Sequence, residues 1–425
     1  MFLYIKIKIN LLLNLFNYIN KNIKKMKQAI LTKYMGFEGN PKFHLVPQVK
    51  KYLETEPEID QETNEEIINL PYPGNARDNF EQRIKDEDIQ PLSIAYMSYV
   101  KNIREVDLSF NKITDKGLSI LSKLLEYADN IVKINLMGNQ IGDNGCENLN
   151  KALKGKKCLT HLNLNTNIFG NLGLMSINEL LFKNPSLTHL NVGGNRYDWD
   201  GIISITSALK TTNNTLQVLN MDDPAYKIFD QHFFTHFGKV FLSNTGLEKL
   251  SLKFHKIRWE ALNIMIHHMR NNQVLNVLDL TGNQICFQAM IFMRDYLNKY
   301  NILKSLILAG NKLRDRGIKV LADGLGNNTG LVHLDVTNND IGDEGFTYLG
   351  NKLKENQGIK SLKIFRDNHW LNNENSIKVF NEYLQLKGKD FYPDFMIYED
   401  EDEHKLHIAY LETHIPNENE YMVDC

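Results

Sequence analysis

Leu275-Asn-Val-Leu278-Asp-Leu280-Thr-Gly-Asn283 is the stretch that decides the fold, because its pattern of leucines and asparagine returns along the chain. The copies have the form Leu-x-x-Leu-x-Leu-x-x-Asn-x-Ile and follow one another at 28 residues, with two exceptions. A fixed period of this length is typical of a stacked solenoid, in which each repeat packs only on its neighbours. The copies begin at Ile103, Ile131, Leu159, Leu187, Leu216, Leu247, Leu275, Leu303, Leu331 and Ile359.

Each repeat divides into a short strand and a helix. In Leu278-Asp-Leu280 the alternation predicts that the leucines point into the core and the residue between them points out. A turn such as Gly342-Asp-Glu-Gly345 follows, and then Phe346, Leu349 and Leu353 show the spacing of an amphipathic helix. We therefore predict an α/β solenoid in the shape of a horseshoe, with a concave parallel β-sheet and convex α-helices.

The asparagine at the ninth position of the pattern is predicted to be buried where the chain leaves the strand. Its amide can satisfy backbone groups that a leucine would leave unpaired. In the fifth and sixth repeats Pro224 and His255 take this position, and the last repeat loses the pattern after Ile364. The irregular region 222–257 either carries function or fills the space of the missing asparagine with larger side chains. The predicted ladder is Asn111, Asn139, Asn167, Asn195, Asn283, Asn311 and Asn339.

These repeats resemble those of the ribonuclease-inhibitor type of leucine-rich-repeat proteins, over about residues 100–388. The resemblance implies protein binding through the concave face. Members of this family include inhibitors, a Ran GTPase-activating protein, innate immune sensors and subunits of ciliary axonemes. The motif is therefore specific for the fold and says little about which function this chain has.

The outward strand positions predict which side chains line the concave face. These side chains form a row that is mostly polar, which suits recognition of another protein by hydrogen bonds. Solubility alone also favours polar residues at exposed strand positions. The first half of the row is rich in asparagine and histidine, and the second half mixes acids with small residues. The predicted partner-binding residues are Asp107, Asn135, His161, Asn163, His189, Asn191, Asn220, Asp222, Lys253, Asp279, His333 and Asp335.

Composition and motifs argue against other classes of protein. A net charge of −2 and a pI of about 6.7 do not fit a general nucleic-acid binder. The four cysteines form no C-x-x-C pair, which favours reduced thiols in the cytoplasm. No phosphate-binding loop, catalytic serine motif or zinc-protease motif is present. His232 and His236 share a helix face, but no third ligand is evident. We therefore predict a non-enzymatic protein with no catalytic residues, no metal and no cofactor.

The chain divides into four predicted regions. Residues 1–25 are basic and apolar, too short in apolar length for a membrane span. Three interpretations of this segment stay open. It packs on a partner, it anchors the chain at a membrane surface, or it is an extension of the gene model ahead of a true start at Met26. Residues 26–90 are predicted to be extended, 91–388 to form the repeat domain with its caps, and 389–425 to form an acidic extension with a β-hairpin. The hairpin strands are placed at Phe395–Tyr398 and Leu406–Leu411.

Together these features predict a cytoplasmic scaffold that docks partner proteins on the repeat arc and through its terminal extensions. We favour a subunit of a cytoskeletal or ciliary axonemal assembly, because the repeat domain carries no signalling domain. The alternative is a GTPase-activating protein similar to the Ran regulator, which is also an isolated solenoid with an acidic C-terminal region. The acidic run here is short, Glu399–Glu403, and strand-like sequence follows it. The oligomeric state stays open.

Overall fold

The computed structural model of the protein describes residues 20–38, 45–55, 67–75, 82–224, 231–366, 368, 373–387, 391–400 and 406–411. The chain forms two compact units, Met1–Tyr197 and Asp198–Cys425, here called unit 1 and unit 2. Each unit stacks strand–helix repeats of one kind, with every repeat strand parallel to the next. The fold is therefore an α/β leucine-rich-repeat solenoid, as the periodicity predicts.

Unit 1 begins with elements that lie outside the repeat pattern. Helix α1 covers residues 20–35, and its buried Ile23, Met26, Ile30 and Tyr34 form one apolar stripe. The prediction of an extended chain over 26–90 is therefore wrong for α1 and for the helix that follows it. The other elements of this cap are α2 (Pro47–Glu54), β1 (Leu70–Pro71), α3 (Asp86–Tyr96) and a 3-10 helix (Met97–Asn102).

Four repeats of unit 1 follow this cap. Strand β1 pairs with β2, and the leucine-position residues Val106, Ile134, Leu162 and Leu190 lie opposite one another in the register of the sheet. Their elements are β2 (Glu105–Asp107), α4 (Asp115–Tyr127), β3 (Lys133–Asn135), α5 (Asp143–Leu153), β4 (His161–Asn163), α6 (Asn171–Lys183) and β5 (His189–Asn191).

Unit 2 continues the same alternation and ends in a hairpin. Strands β6 to β12 are parallel neighbours in chain order, and β13 pairs antiparallel with β14. The helices are α7 (Trp199–Thr211), α8 (Gln231–Ser243), α9 (Trp259–Met269), α10 (Phe287–Leu297), α11 (Arg314–Leu325), α12 (Asp343–Glu355) and α13 (Glu374–Lys387). The strands are β6 (Val218–Asn220), β7 (Lys249–Ser251), β8 (Val277–Asp279), β9 (Ser305–Ile307), β10 (His333–Asp335), β11 (Ser361–Lys363), β12 (Tyr392–Pro393), β13 (Phe395–Glu399) and β14 (Leu406–Tyr410).

The predicted ladder asparagines satisfy the backbone at the end of each strand. The Asn283 amide donates to the carbonyl of Leu252 in the preceding repeat at 3.0 Å and to that of Leu280 in its own repeat at 2.8 Å. Its oxygen accepts the backbone N–H of Ile257 at 3.0 Å. The same donated bonds recur at Asn111, Asn139, Asn167, Asn195, Asn311 and Asn339.

Two departures from the ladder keep part of its bonding. His255 Nε2 lies 2.8 Å from the carbonyl oxygen of Met221, the group that an asparagine there would also reach. In the last repeat Asn368, one residue later than the pattern requires, donates to Val336 O and accepts from the N–H of Asn339. The last repeat therefore does not lose its ladder residue, because one inserted residue has only displaced it.

A second asparagine ladder, which the sequence analysis missed, closes the helix ends. In Asn356 the amide donates to the carbonyls of Leu325 at 2.7 Å and Asn328 at 2.8 Å. Its oxygen accepts the N–H of Ile359 at 2.8 Å. The signal was an asparagine three residues before the start of a repeat, which also occurs at Asn184, Asn213, Asn244, Asn272 and Asn328.

Candidate functional site

The outward-facing side chains of the repeat strands form the candidate site, and each unit has its own set. They stand opposite the buried leucines, so they are the groups that this side of the sheet presents. We call the first set the unit 1 sheet face: Glu105, Asp107, Lys133, Asn135, His161, Asn163, His189 and Asn191. The unit 2 sheet face is Val218, Asn220, Asp222, Lys249, Ser251, Lys253, Val277, Asp279, Ser305, Ile307, His333, Asp335, Ser361 and Lys363.

The central row of asparagines and aspartates has a structural task at the end of each strand. The side-chain oxygen of Asn135 accepts the N–H of Met137 at 3.2 Å, and that of Asn163 accepts the N–H of Asn165 at 3.1 Å. The side-chain oxygens of Asp279 and Asp335 likewise accept the backbone N–H of the residue two positions later. These are Asx turns, for which asparagine and aspartate are the preferred residues. The turn therefore explains why asparagine or aspartate occupies these positions. In Asn135 and Asn163 the side-chain oxygen is used in the turn, and the amide NH₂ is the polar group that remains for a partner.

His161 and His189 form a stacked pair in the unit 1 sheet face. Their ring centroids lie 4.0 Å apart with 17° between the planes. Each Nδ1 lies 2.8 Å from the hydroxyl of the preceding threonine, Thr160 or Thr188, which fixes the ring orientation. Partial burial, and then the charge of Lys133, lower the pKa of His161. The pair is therefore held in place, and the lowered pKa favours the neutral form of His161.

An ion pair lies beside the histidines. Lys133 Nζ and Glu105 Oε1 are 3.4 Å apart, and both side chains are about half exposed. Such a pair contributes only about 0–1 kcal/mol to stability. It leaves this end of the unit 1 sheet face charged and accessible.

The unit 2 sheet face contains a charged cluster of a different kind. Lys253 Nζ lies 3.2 Å from an Asp279 oxygen and 3.8 Å from an Asp222 oxygen. Asp222 also accepts the hydroxyl of Ser251 and the N–H of Lys253. Burial raises the pKa of the Asp279 carboxyl, and the charge of Lys253 opposes that rise. The cluster is therefore internally paired.

Several of the side chains that the sequence analysis placed on an open surface are buried. In unit 2 Asn220, Asp279, His333 and Asp335 are between 0 and 8 % exposed, so the expectation of a freely accessible row is wrong for them. Burial lowers the pKa of His333 to about 3. In unit 1 Asn191 is also buried, and its oxygen accepts the amide of Asn165 at 3.0 Å. The half-buried members are Asp107, Asn135, His161, Asn163, His189, Asp222 and Lys253.

The predicted partner-binding residues leave out the apolar members of the unit 2 sheet face. Val218, Val277 and Ile307 occupy outward positions and are at most 4 % exposed. An apolar residue at an outward strand position was the signal that could have found them, because a solvated sheet face is normally polar there.

Comparison with known proteins agrees with this architecture. The family model for the leucine-rich repeat matches residues 101–122, 130–149, 183–204, 301–322 and 327–350. The chain is a leucine-rich-repeat protein. The ribonuclease-inhibitor subtype stays a prediction for this leucine-rich-repeat protein.

A search of curated protein sequences finds no match to the chain. Among solved structures it is similar to "Leiomodin-1 Actin-Binding Site 2 (ABS2)", with 13% identity over 44% of this chain and 88% of that chain, and a TM-score of 0.28. A likeness at that score is too low to carry an argument about function.

Within the residues that the structure describes, no three or more histidine, cysteine or acidic side chains are grouped so that they could hold a metal ion. Over the same part of the chain, no helix combines the length and the apolar character that crossing a bilayer requires. The side chain of His232 lies outside the described residues, so the spacing of His232 and His236 stays a sequence observation.

Proposed function

We propose that this leucine-rich-repeat protein is a non-enzymatic interaction module that docks a partner protein on the unit 1 sheet face. The observation that carries the proposal is the stacked pair His161 and His189, flanked by the half-buried Asn135 and Asn163. Leucine-rich repeats as a family serve protein binding, and these residues are the polar groups that unit 1 offers to a partner.

The physical argument rests on preorganisation. The threonine hydroxyls fix the histidine rings, and the Asx turns fix the asparagine side chains. A partner therefore meets donors whose rotamers are already set, so less side-chain entropy is lost on binding. The amide NH₂ groups of Asn135 and Asn163 favour a partner surface that presents backbone carbonyls or carboxylates.

The test compares the full-length protein with the variant His161→Glu as immobilised bait, using quantitative mass spectrometry of the retained proteins. The matched control is Lys123→Glu, an exposed position on helix α4 away from the sheet face. We expect the variant to lose specific partners by about tenfold or more, and the control to retain them. If all three proteins retain the same partners equally and unfold at equal urea midpoints, the unit 1 sheet face is not the docking surface.

The finer proposal is a subunit of a cytoskeletal or axonemal assembly, and its support is the lone repeat array. The alternative of a GTPase activator predicts that the protein accelerates nucleotide hydrolysis by a candidate GTPase. An assay of hydrolysis rate with and without the full-length protein separates the two functions, since a docking module leaves the rate unchanged.

A further inference from the structure

The strand-to-helix loops of three consecutive repeats in unit 2 carry an excess of positive charge. They are residues 252–260, 280–288 and 308–316, here called the unit 2 loop edge, and they end in the first turns of α9, α10 and α11. Their acids are Glu260 and Asp315, and both are half-buried. Their exposed cations are Lys256, Arg258, Lys312, Arg314 and Arg316.

The first three repeat loops of unit 1 are balanced in charge. They contain two lysines and two aspartates, Asp115 and Asp143, which are the first residues of α4 and α5. An Asp115 oxygen accepts the backbone N–H of Gly142 in the next repeat at 2.6 Å, and an Asp143 oxygen accepts that of Gly170 at 2.7 Å. The carboxylates therefore join neighbouring repeats and neutralise the lysines beside them.

Two aromatic residues take the place of these aspartates in unit 2. Helix α9 begins with Trp259 and α10 with Phe287. Asp315 is retained at the start of α11, but its oxygen already accepts the N–H of Gly342 at 2.6 Å. The unit 2 loop edge therefore keeps its cations and lacks two of the carboxylates that would balance them.

Backbone and side-chain hydrogen bonds join the three loops into one surface. The N–H of Gln284 donates to the carbonyl of Ile257 at 2.9 Å, and that of Lys312 donates to Ile285 at 2.8 Å. Arg258 Nε donates to the side-chain oxygen of Gln284 at 3.2 Å. The cations of the first and third loops therefore lie along the same edge, two repeats apart.

The arginines of the third loop are placed to bind carboxylates. The Arg316 guanidinium lies 3.7 Å from the centroid of the Phe287 ring. Stacking uses the face of the guanidinium, and its N–H edge is the part that binds a carboxylate in bidentate fashion. Arg314 Nε lies 3.1 Å from an Asp340 oxygen, and this exposed ion pair is weak. The edge thus already binds one carboxylate, and a partner's carboxylate can compete with it.

We propose that the unit 2 loop edge binds an acidic segment of a partner protein in an extended conformation. Two steps between strands, from β7 to β9, span about 9.6 Å, and two steps between helices span about 16–20 Å. About three to six extended residues cover such a length. Five exposed cations on so short a surface favour a run of glutamates or aspartates. A nucleic-acid strand fits less well, because the chain as a whole carries a net charge of −2.

The first experiment measures the binding of a fluorescein-labelled octaglutamate peptide to the full-length protein by fluorescence anisotropy at low salt. The variant Lys256→Glu with Lys312→Glu reverses two exposed cations of the edge. The matched control, Lys299→Glu with Lys304→Glu, makes the same change of charge at exposed positions between α10 and β9. We expect saturable binding, weakened at least about tenfold in the variant and less than about twofold in the control.

Three results of this experiment overturn the proposal. They are the absence of saturable binding to the native chain; an equal effect of the two double variants, which long-range charge alone explains; and tighter binding of a labelled octathymidine DNA strand, which makes a nucleic acid the ligand. Equal urea midpoints of the variants and the native protein check that the fold is retained.

The second experiment locates the peptide on the native chain and needs no variant. Carbodiimide activation joins octaglutamate to the lysines that it contacts, and mass spectrometry of the digest identifies them. We expect Lys256 and Lys312 to be the main cross-linked lysines, with Lys299 and Lys304 joined only weakly. Yields at Lys299 and Lys304 that equal those at the edge contradict the proposal.

This proposal and the docking proposal for the unit 1 sheet face can fail separately. His161→Glu, the variant that tests docking, changes no residue of the unit 2 loop edge and should leave the affinity for octaglutamate unchanged.

Discussion

Replacement of His255 by asparagine tests how histidine at a ladder position, where other repeats have asparagine, changes the stability of the folded chain. Burial lowers the pKa of His255 from 6.5 to about 4, and a backbone hydrogen bond to Met221 opposes this shift. Because the folded-state pKa lies below the unfolded one, the neutral imidazole's contribution to stability is complete above pH 6.5. It is lost as the pH falls from 6.5 toward 4. At pH 5 the loss amounts to about 2 kcal/mol.

His255→Asn removes this titration and leaves a cavity of about 40 Å³. The cavity costs about 1 kcal/mol at about 24 cal/mol per Å³. The asparagine amide can still donate to the Met221 carbonyl, as Asn283 does to Leu252 in the next repeat. We therefore expect the variant to be less stable than the native protein by about 1 kcal/mol at pH 8. At pH 5 the order reverses, and the variant is more stable by about 1 kcal/mol.

The assay is urea unfolding followed by far-UV circular dichroism at pH 8 and pH 5, with midpoints converted through the measured m-value. His161→Asn is the control, since that ring is half exposed and its titration should affect the pH dependence much less. A stability difference between the native protein and His255→Asn that is the same at both pH values would refute the reasoning. It would mean that the imidazole is not held neutral in the folded chain.

Three further substitutions test the rest of the scaffold by the same urea unfolding. Asn283→Ala leaves several buried backbone groups unpaired and should cost about 3–5 kcal/mol, and a cost below about 1 kcal/mol would contradict the ladder. Asn356→Ala should cost about 2–4 kcal/mol for the same reason at the helix end, so a neutral effect would exclude a second ladder. Gly345→Ala places a methyl group 2.6 Å from an Asp315 oxygen and should cost about 1–3 kcal/mol. Gly326→Ala meets no atom within 4 Å and should be neutral or stabilising by up to about 1 kcal/mol, so an equal loss in both glycine variants would contradict this explanation.

The candidate site was predictable from the sequence in its positions but not in its side-chain contacts. The outward positions of the strands followed from the alternation around leucines such as Leu278, and the structure places those residues in the expected register. The same register places His161 and His189 on neighbouring strands of unit 1. Their stacking and their hydrogen bonds to Thr160 and Thr188 depend on distances across the sheet, which the sequence does not give. The Asx role of Asn135 was not foreseen, because solvation at an outward position also explains a polar residue there.

The repeat period determined the fold of this protein without tertiary information. Each strand and helix is short and packs on the next copy of itself, so local spacing already specifies which residues meet. The exposure of the two sheet faces was decided only in the folded chain. His333 is buried, whereas His161, at the same position of its strand, is half-buried, although periodicity gives both the same outward register. Periodicity records contacts between neighbouring repeats and does not determine how far an outward side chain stays exposed in the folded chain.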